Sequence, residues 1–394
     1  KFNTKIHSGA METTKASTEN PTKTKDIFHV IGLMSGSSCD GLDIVYVEFQ
    51  YSSESTTYKV LEGKTVGFDE ALTKKLLNAH KLETFDFLLF DREFGHWIGE
   101  QIVKFISEKS IPKEKIDFVC SHGHSIFHQP QKRITVQIGH GASIAAECGL
   151  TVISDFRSLD VALKGQGAPL VPIGDRVLFK DYTFCLNLGG ICNVSFEENP
   201  SKSEESKRIA YDITYCNMGL NYYANKAGKT YDEDGNLAKA GTVNQDVLSK
   251  LKNLSFFQSV EPKSLGREYF ESDFLPIVES ANLDVKDCLA TLVEHAADLI
   301  ADAIKLALKK GTMSKPAKML CTGGGAHNKY LISRLSEKLE GECEVVVPDA
   351  LTVDFKEALV FGFLGVLRWL NKPNCLQSCT GAIRNCIGGC IYQG

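Results

Sequence analysis

The stretch FHVIGLMSGSSCDGLDIVYVEF, residues 28–49, decides the fold prediction. It reads as an apolar strand, a turn of small residues from Ser35 to Gly41, and a second strand that alternates like a half-buried one. The pattern returns in FCLNLGGICNVSFEE, residues 184–198, where a strand again ends in a glycine turn and the chain comes back as a second strand. A strand–turn–strand unit that occurs twice predicts two similar lobes.

Each of these hairpins is followed by a third predicted strand and then by alternating helices and strands. In the first half, a strand near 57–68 precedes helical patterning and buried strands at 116–120 and 151–156. In the second half, RIAYDI at 208–213 precedes helices, the strand of AKMLCTGGG, and CEVVVP at 343–348. We therefore predict an α/β fold of two ribonuclease-H-like lobes, each with a mixed five-stranded sheet, flanking an interlobe cleft.

The same pattern sets the expected domain boundaries. Residues 1–26 are polar and are predicted to form a disordered tail, followed by an N-terminal lobe at 27–180 and a C-terminal lobe at 181–394. The last helix is expected to pack back on the first lobe. The tail lacks the apolar stretch of a secretory signal, and most of the thirteen cysteines stand singly in apolar strands, so we expect a reducing cytoplasm.

Composition narrows the class of function. The 394 residues are 43% hydrophobic and 24% charged, as in ordinary globular proteins. A net charge of −5, from 44 basic and 49 acidic residues, disfavours a nucleic-acid partner, and no apolar run has the length of a membrane helix. We expect small-molecule ligands, no nucleic acid and no membrane, while a homodimer stays possible.

Three glycine-rich turns, each at the end of a predicted strand, predict a site for nucleotide phosphates, because glycine lets backbone N–H groups approach an anion closely. The residues predicted to line this site are Gly36, Ser37, Ser38, Cys39, Asp40, Gly41, Leu42, Asp43, Gly189, Gly190, Asn193, Gly323, Gly324 and Gly325. Other nucleotide motifs fail. Tyr223 stands where a P-loop ending in GKT at 228–230 needs glycine, and GQGAPL at 165–170 lacks the third glycine of a dinucleotide fingerprint.

Candidate metal ligands leave two interpretations open. Asp40 could hold Mg²⁺ through water, since that ion keeps much of its hydration shell, or it could simply fix the hairpin. The spacing of His122, His124 and His128 suggests a metal site, but no acidic residue accompanies them locally, which favours a structural or sugar-binding role. Near the end of the chain, two C-x3-C pairs have spacings untypical of zinc and are expected to be ordinary thiols: Cys375 with Cys379, and Cys386 with Cys390.

The segments around these residues resemble one kinase family. IGLMSGSSCDGLD at 31–43, CSHGHSIFHQP at 120–130 and SDFRSLDVALKGQGAPLVP at 154–172 are similar to motifs of the anhydro-N-acetylmuramic acid kinases. LNLGGICNVS, YDEDG, PKSLGRE, CTGGGAHN and KEALVFGFLG continue the resemblance in family order, so that it covers residues 27–394. It implies the duplicated fold of sugar kinases, actin and heat-shock chaperones, with nucleotide phosphates between the two hairpins.

The resemblance also implies a reaction. With ATP and Mg²⁺, such an enzyme opens the 1,6-anhydro bridge of anhydro-N-acetylmuramic acid with water and phosphorylates O6, giving N-acetylmuramic acid 6-phosphate for cell-wall amino-sugar recycling. Asp212 would be the catalytic base, although an aspartate after a strand could also form a turn or cap a helix. The residues implied to bind the sugar are His122, Arg157, Gln166, Asn217 and Glu357.

Departures from the family pattern fall near the implied sugar site. AYDITYCN stands where the family commonly has GFDTGPGN, Leu159 stands where many members have Arg, and Lys164 stands where they have Gly. These changes keep open a kinase for another anhydrosugar, such as levoglucosan. A nucleotide-gated binding protein without turnover is a further alternative, because the same fold serves actin and chaperones.

Overall fold

The computed structural model describes residues 26–394, except for 37–38, 40, 53–54, 199–205, 259–263 and 311–315. The predicted N-terminal tail, apart from Asp26, therefore lies outside the described residues. Ser37, Ser38 and Asp40 of the first predicted phosphate turn lie outside them as well. The proposed contact of Asp40 with Mg²⁺ consequently stays a prediction.

The first sheet has seven strands within the described residues, in the order β12-β6-β4-β1-β2-β3 with β5 paired to β4. These strands are β1 (Ile27–Ser35), β2 (Gly41–Tyr51), β3 (Thr56–Gly67), β4 (Phe118–Gln129), β5 (Ile134–Ile138), β6 (Val152–Ser154) and β12 (Cys390–Tyr392). The expected count of five was too low for this sheet. β4 runs on through the SHGHS segment and pairs with β5, and the end of the chain returns to cover β6.

The second sheet has the predicted five strands within the described residues, in the order β11-β10-β7-β8-β9. They are β7 (Phe184–Leu188), β8 (Ile191–Glu197), β9 (Arg208–Tyr215), β10 (Ala317–Thr322) and β11 (Cys343–Val346). Here β10 is parallel to β7 and to β11, whereas β8 is antiparallel to both of its neighbours, β7 and β9. The run β4-β1-β2-β3 of the first sheet repeats this arrangement, so the predicted duplication and the mixed α/β class are confirmed.

Helices connect the strands and cover both sheets. In the first half they are α1 (Glu70–Asn78), α2 (Thr84–Glu108), α3 (Gly141–Cys148), α4 (Ser158–Ala162) and α5 (Pro172–Leu178). In the second half they are α6 (Asn217–Lys226), α7 (Asn236–Lys239), α8 (Gln245–Lys252), α9 (Ser255–Gln258), α10 (Arg267–Tyr269), α11 (Leu275–Ser280), α12 (Val285–Lys309), α13 (Lys329–Lys338), α14 (Ala350–Trp369) and α15 (Gln377–Thr380). Every helix in the described part of the chain is too short or too polar to cross a bilayer.

Helix α14 contacts both sheets, because its surface is apolar on more than one side. Its Leu359 and Phe363 share one buried cluster with Phe118 of the first sheet and with Leu320 of the second. A Cβ placed on Gly32 of β1 would lie 2.1 Å from the carbonyl oxygen of Ala358, so glycine is required for this close approach. The helix thus ties the first sheet to the second at the level of the glycine turns.

Candidate active site

Four polar side chains form a row across the second sheet. In register, Thr322 of β10 pairs with Asn187 of β7, Asn187 with Asn193 of β8, and Asn193 with Asp212 of β9. Because side chains alternate between the two faces of a strand, neighbouring residues such as Leu186 fill the core on the opposite face. Asn187, Asn193 and Asp212 are partly exposed, so the row offers polar groups to a ligand.

Asp212 is held by a loop that reaches it from further along the chain. Its Oδ2 accepts hydrogen bonds from Leu265 N–H (2.8 Å) and from Ser264 Oγ–H (3.0 Å). Burial raises the pKa of Asp212, and these two hydrogen bonds partly offset the rise. The alternative that Asp212 caps a helix is wrong, since it lies inside β9 and Cys216 is the N-cap residue of α6.

Gly189 and Gly190 form the second glycine turn against the start of α6. The carbonyl oxygen of Gly189 accepts from Asn217 N–H (3.1 Å), and that of Gly190 accepts from Cys216 N–H (2.9 Å). Asn217 also donates from Nδ2 to Leu188 O (2.9 Å). A Cβ added to Gly189 or Gly190 would meet no described atom closer than 3.4 Å, so the space in front of this turn is open.

In the third turn, two glycines pack against the protein and one faces open space. A Cβ on Gly323, whose φ is +80°, would lie 2.4 Å from Asn187 Oδ1, and one on Gly325 would lie 2.8 Å from the Cβ of Leu188. These two glycines let the turn pack against β7. Gly324 instead faces open space, because its nearest described neighbour would be Asn217 Nδ2 at 3.5 Å.

His124 anchors the described part of the first turn. Its Nδ1 lies 2.9 Å from Ser35 Oγ, and its Nε2 lies 3.6 Å from the Sγ of Cys39, which has the left-handed φ of +55°. Burial lowers the pKa of His124 to about 4, so the ring is neutral near pH 7. The turn is closed by Cys39 N–H, which donates to Gly36 O (3.2 Å).

The strand that follows this turn is held by the sheet. A Cβ on Gly41 would lie 2.7 Å from Val66 O, and the side chain of Leu42 is buried. Asp43 Oδ1 accepts a hydrogen bond from Thr65 Oγ1 (2.6 Å). A ligand would therefore meet Gly41 and Leu42 through their backbone.

Arg157 organises the predicted sugar-binding residues. It donates from Nε to His122 Nε2 (2.9 Å) and from Nη1 to Gly167 O (2.6 Å). His122 must carry its proton on Nδ1, because that atom donates to the carbonyl oxygen of Gly123 (2.8 Å). Burial and the nearby Arg157 lower the pKa of His122 well below its usual range, in agreement with this neutral tautomer.

Glu357 of α14 connects this group to the second sheet. Burial raises its pKa, while the charge of Arg157 acts in the opposite direction. Asn187 Nδ2 lies 3.5 Å from Glu357 Oε1, so the carboxyl group borders the polar row of the second sheet. Glu357 therefore lies close both to Arg157 and to Asn187, the member of the polar row on β7.

The remaining predicted residues have separate surroundings. Gln166 is exposed, and its backbone N–H donates to Thr380 O (2.7 Å). The three histidines have different partners, since His128 Nδ1 lies 3.0 Å from Thr135 Oγ1. Sequence reasoning missed the contact of Asn187 with Glu357 and the contacts of Ser264 and Leu265 with Asp212. All three residues lie in quoted motifs, but the local sequence does not show which distant residues contact each other.

The second and third glycine turns leave room for a ligand. Glycines with open space before them, Gly189, Gly190 and Gly324, leave backbone groups accessible where a side chain would obstruct a ligand. Next to them stands a carboxylate whose raised pKa favours proton uptake. The neutral imidazole of His122 is hydrogen-bonded to the partly buried guanidinium of Arg157, whose charge acts on Glu357. This arrangement can position a phosphoryl donor, a polar acceptor and a base.

A family model for anhydro-N-acetylmuramic acid kinase matches residues 28–394. The chain is 32% identical over 382 residues to the anhydro-N-acetylmuramic acid kinase of Sulfurimonas denitrificans, an alignment that covers 92% of this chain and 99% of that relative. It is 33% identical over 373 residues to the enzyme of the same name from Aliivibrio fischeri, covering 92% and 98% of the two chains. The corresponding protein of Shewanella denitrificans is 33% identical over 378 residues, covering 93% and 98%.

Proposed function

This chain belongs to the anhydro-N-acetylmuramic acid kinase family, and on that premise we propose how its own residues carry out the reaction. The enzyme is a phosphotransferase with an alcohol group as acceptor. Its function is to open the 1,6-anhydro bridge of anhydro-N-acetylmuramic acid and to phosphorylate O6. The observation that supports our residue assignment best is the position of Asp212 in the polar row beside the glycine turns.

Asp212 is the proposed base. Its Oδ2 is engaged by Ser264 and Leu265, which leaves Oδ1 to accept a proton from water. That water attacks the anomeric carbon, the bond from this carbon to the bridging oxygen breaks, and the released O6 takes the phosphoryl group. A carboxylate with a raised pKa suits the role, since a base works best when its pKa approaches the working pH.

The three glycine turns are proposed to hold ATP. Gly189, Gly190 and Gly324 offer backbone groups in open space, and the first turn, fixed by His124, supplies the opposite side. Bound ATP with Mg²⁺ supplies the phosphoryl group and neutralises its charge. Asp40 is the proposed residue for the metal, through water. Catalysis by the protein then consists largely of positioning and electrostatic stabilisation.

Arg157 and Glu357 are proposed to select the sugar, together with His122, Gln166 and Asn217. Nε and one N–H of Nη1 are engaged within the protein, which leaves the second N–H of Nη1 and both N–H groups of Nη2 as donors for a ligand. The lactyl carboxylate of the muramic compound would pair with this guanidinium, whereas levoglucosan has no carboxylate. Leu159 is 41% exposed and Lys164 is also exposed, so neither departure from the family pattern is buried away from solvent.

A substrate panel tests this function. Purified protein, ATP and Mg²⁺ are incubated with anhydro-N-acetylmuramic acid, with levoglucosan, or without sugar, and ADP release is measured. We expect the muramic compound to stimulate ADP release most and to yield the 6-phosphate. Preference for levoglucosan would overturn the proposed sugar, and ADP release that no sugar stimulates would favour the binding-protein alternative.

The cellular setting is a separate proposal. All thirteen cysteines lie among the described residues and are free thiols, which suits the reducing cytoplasm that we propose as the compartment. A homodimer likewise stays a prediction. Sedimentation of the purified chain would show whether it forms a homodimer.

A further inference from the structure

Two cysteines, Cys375 and Cys386, face each other in the segment 374–388 near the end of the chain. Cys375 N–H donates to Cys386 O (3.1 Å), and Cys386 N–H donates to Cys375 O (3.2 Å). The two residues therefore form one hydrogen-bonded antiparallel pair. In such a pair the Cα atoms are about 5.5 Å apart, which lies within the range that a disulfide spans.

The two thiols also share a buried space. Their Sγ atoms and a carboxylate oxygen of Asp160 all lie within 4.8 Å of one another. Each cysteine is only 1% exposed, and Asp160 is fully buried. The Cys375 thiol lies within hydrogen-bonding distance of Phe156 O (3.7 Å) and of Asn374 Oδ1 (3.6 Å). The interaction between the two cysteine side chains lowers the pKa of the Cys386 thiol and raises that of Cys375. Cys386 is consequently the thiol that ionises first.

We propose that Cys375 and Cys386 are a redox modification site that forms a reversible disulfide with a small-molecule disulfide as oxidant. The Cys386 thiolate attacks one sulfur of the oxidant and releases the other as a thiolate. The Cys375 thiol then loses its proton and attacks Cys386 Sγ, and the second half of the oxidant leaves. Two protein thiols are oxidised, one small disulfide is reduced to two thiols, and the oxidant takes up both protons.

The surroundings of the pair favour this step. Residues 383–385, directly before Cys386, are exposed, so a small local opening admits the oxidant. The bond would also close a loop around Thr380, whose Oγ1 donates to Asp160 Oδ1 (2.8 Å) and whose carbonyl accepts from Gln166 N–H (2.7 Å). Oxidation is therefore expected to stabilise the anchoring of segment 160–167, because a cross-link restricts the unfolded chain.

The alternative is that the two Sγ atoms and the Asp160 carboxylate bind a metal ion. Two thiolates and a carboxylate are zinc ligands, but these three leave a tetrahedral ion one ligand short. The carboxylate is also engaged, because Asp160 accepts from Gly167 N–H at Oδ2 (2.8 Å) and from Thr380 at Oδ1. The geometry therefore favours a disulfide, and zinc is one outcome of the test.

The experiment maps the bond directly. The variant C379S/C390S removes the other two thiols near the end of the chain, and it is incubated with oxidised glutathione, alkylated in denaturant and digested with trypsin. Cleavage after Arg384 separates Cys375 from Cys386. We expect one linked pair of peptides, lighter by two hydrogens than the two free peptides together, that dithiothreitol separates. Adding C375S or C386S should abolish the link, and the oxidised protein should melt at a higher temperature than the reduced one.

Clear outcomes would overturn the proposal. These are alkylation of both thiols after exhaustive oxidation, glutathione adducts without the linked peptides, or one equivalent of zinc that C386S removes and C390S retains. If C379S/C390S does not fold, fragmentation of the linked peptides from the unmodified chain identifies the joined cysteines. None of these measurements uses kinase activity, so the result is independent of the proposed function.

Discussion

Asp212 illustrates how one residue acquires its chemistry from its neighbours. Its strand places it in the polar row of the second sheet, and a loop from residues 264–265 fixes one of its oxygens. Burial makes its carboxyl group less acidic, whereas the hydrogen bonds keep it ionised. The balance between these effects leads to two predictions at the scale of the residue.

The first prediction concerns the charge of Asp212. Asp212→Asn keeps an oxygen that can accept from Leu265 N–H but removes the proton acceptor. Because a positioned base contributes about 10²–10⁴-fold in rate, we expect turnover to fall at least roughly a hundredfold, with ATP affinity almost unchanged. Asp287→Asn is the matched control, since Asp287 also accepts a backbone hydrogen bond, from Thr242 N–H. Near-normal turnover of Asp212→Asn would contradict the assignment of Asp212 as the catalytic base.

The second prediction concerns the hydrogen bond from Ser264. Ser264→Ala removes an interaction that lowers the pKa of Asp212, so that pKa should rise. A base must be deprotonated to act, and activity is therefore lost as pH falls through its pKa. The acid limb of the kcat/KM profile should move to higher pH, by roughly half a unit to one unit for a hydrogen bond of about 1 kcal/mol. Ser255→Ala serves as control, and an acid limb that stays in place would contradict the role of Asp212.

At the scale of the element, strand β4 supports the first glycine turn. His124 of β4 contacts both Ser35 at the end of β1 and Cys39 in the turn. A single neutral side chain thus holds the turn in a conformation that includes a left-handed cysteine.

Replacing that side chain should weaken ATP binding. His124→Leu loses both hydrogen bonds, and at about 1 kcal/mol for each bond we expect affinity for an ATP analogue to fall by up to about thirtyfold. Since the pKa of His124 is about 4, affinity of the unchanged protein should not vary through this residue between pH 6 and 8. Calorimetric titration measures both effects, with the exposed His80→Leu as control. Equal affinities of the two variants would show that the turn does not depend on His124.

Two neighbouring charged residues of helix α14, Lys356 and Glu357, have different partners. Glu357 faces the site, whereas Lys356 forms a buried ion pair with Asp175 of α5 at 2.8 Å. Arg208 of β9 lies 3.9 Å from the same carboxylate. The helix is therefore connected by charge, as well as by apolar packing, to the second sheet.

Removing the buried lysine should destabilise the fold. Lys356→Met leaves Asp175 without its closest cation, and breaking a buried pair in this way costs about 3–5 kcal/mol in the free energy of unfolding. Lys318→Met is the matched control, because its pair with Glu344 is exposed and worth about 1 kcal/mol or less. Urea denaturation measures both variants. The interpretation fails if Lys356→Met is no less stable than Lys318→Met.

At the scale of the whole molecule, the proposed site takes its residues from both halves of the chain. Arg157 lies between β6 of the first sheet and α4, the first turn connects β1 to β2, the polar row belongs to the second sheet, and α14 packs against both sheets. A phosphoryl transfer that must exclude free water requires these parts to close around the ligands.

Closure on ligand binding is the prediction at this scale. An ATP analogue and the anhydrosugar together should reduce the radius of gyration, because the two lobes approach each other around the bound ligands. Small-angle scattering with neither, either and both ligands measures the change. Identical compactness in all four samples would count against closure.

The sequence by itself determined the strand–turn–strand repeat, the three glycine turns and the family, because these depend on patterns within a few residues and on their order along the chain. Only the tertiary structure decided which side chains meet. It paired Asn193 with Asp212, brought Ser264 and Leu265 to that carboxylate, and added β12 to the first sheet. It also set Asp160 beside Cys375 and Cys386, where spacing alone predicted ordinary thiols. Register and long-range pairing are set by packing of distant segments, which local periodicity does not encode.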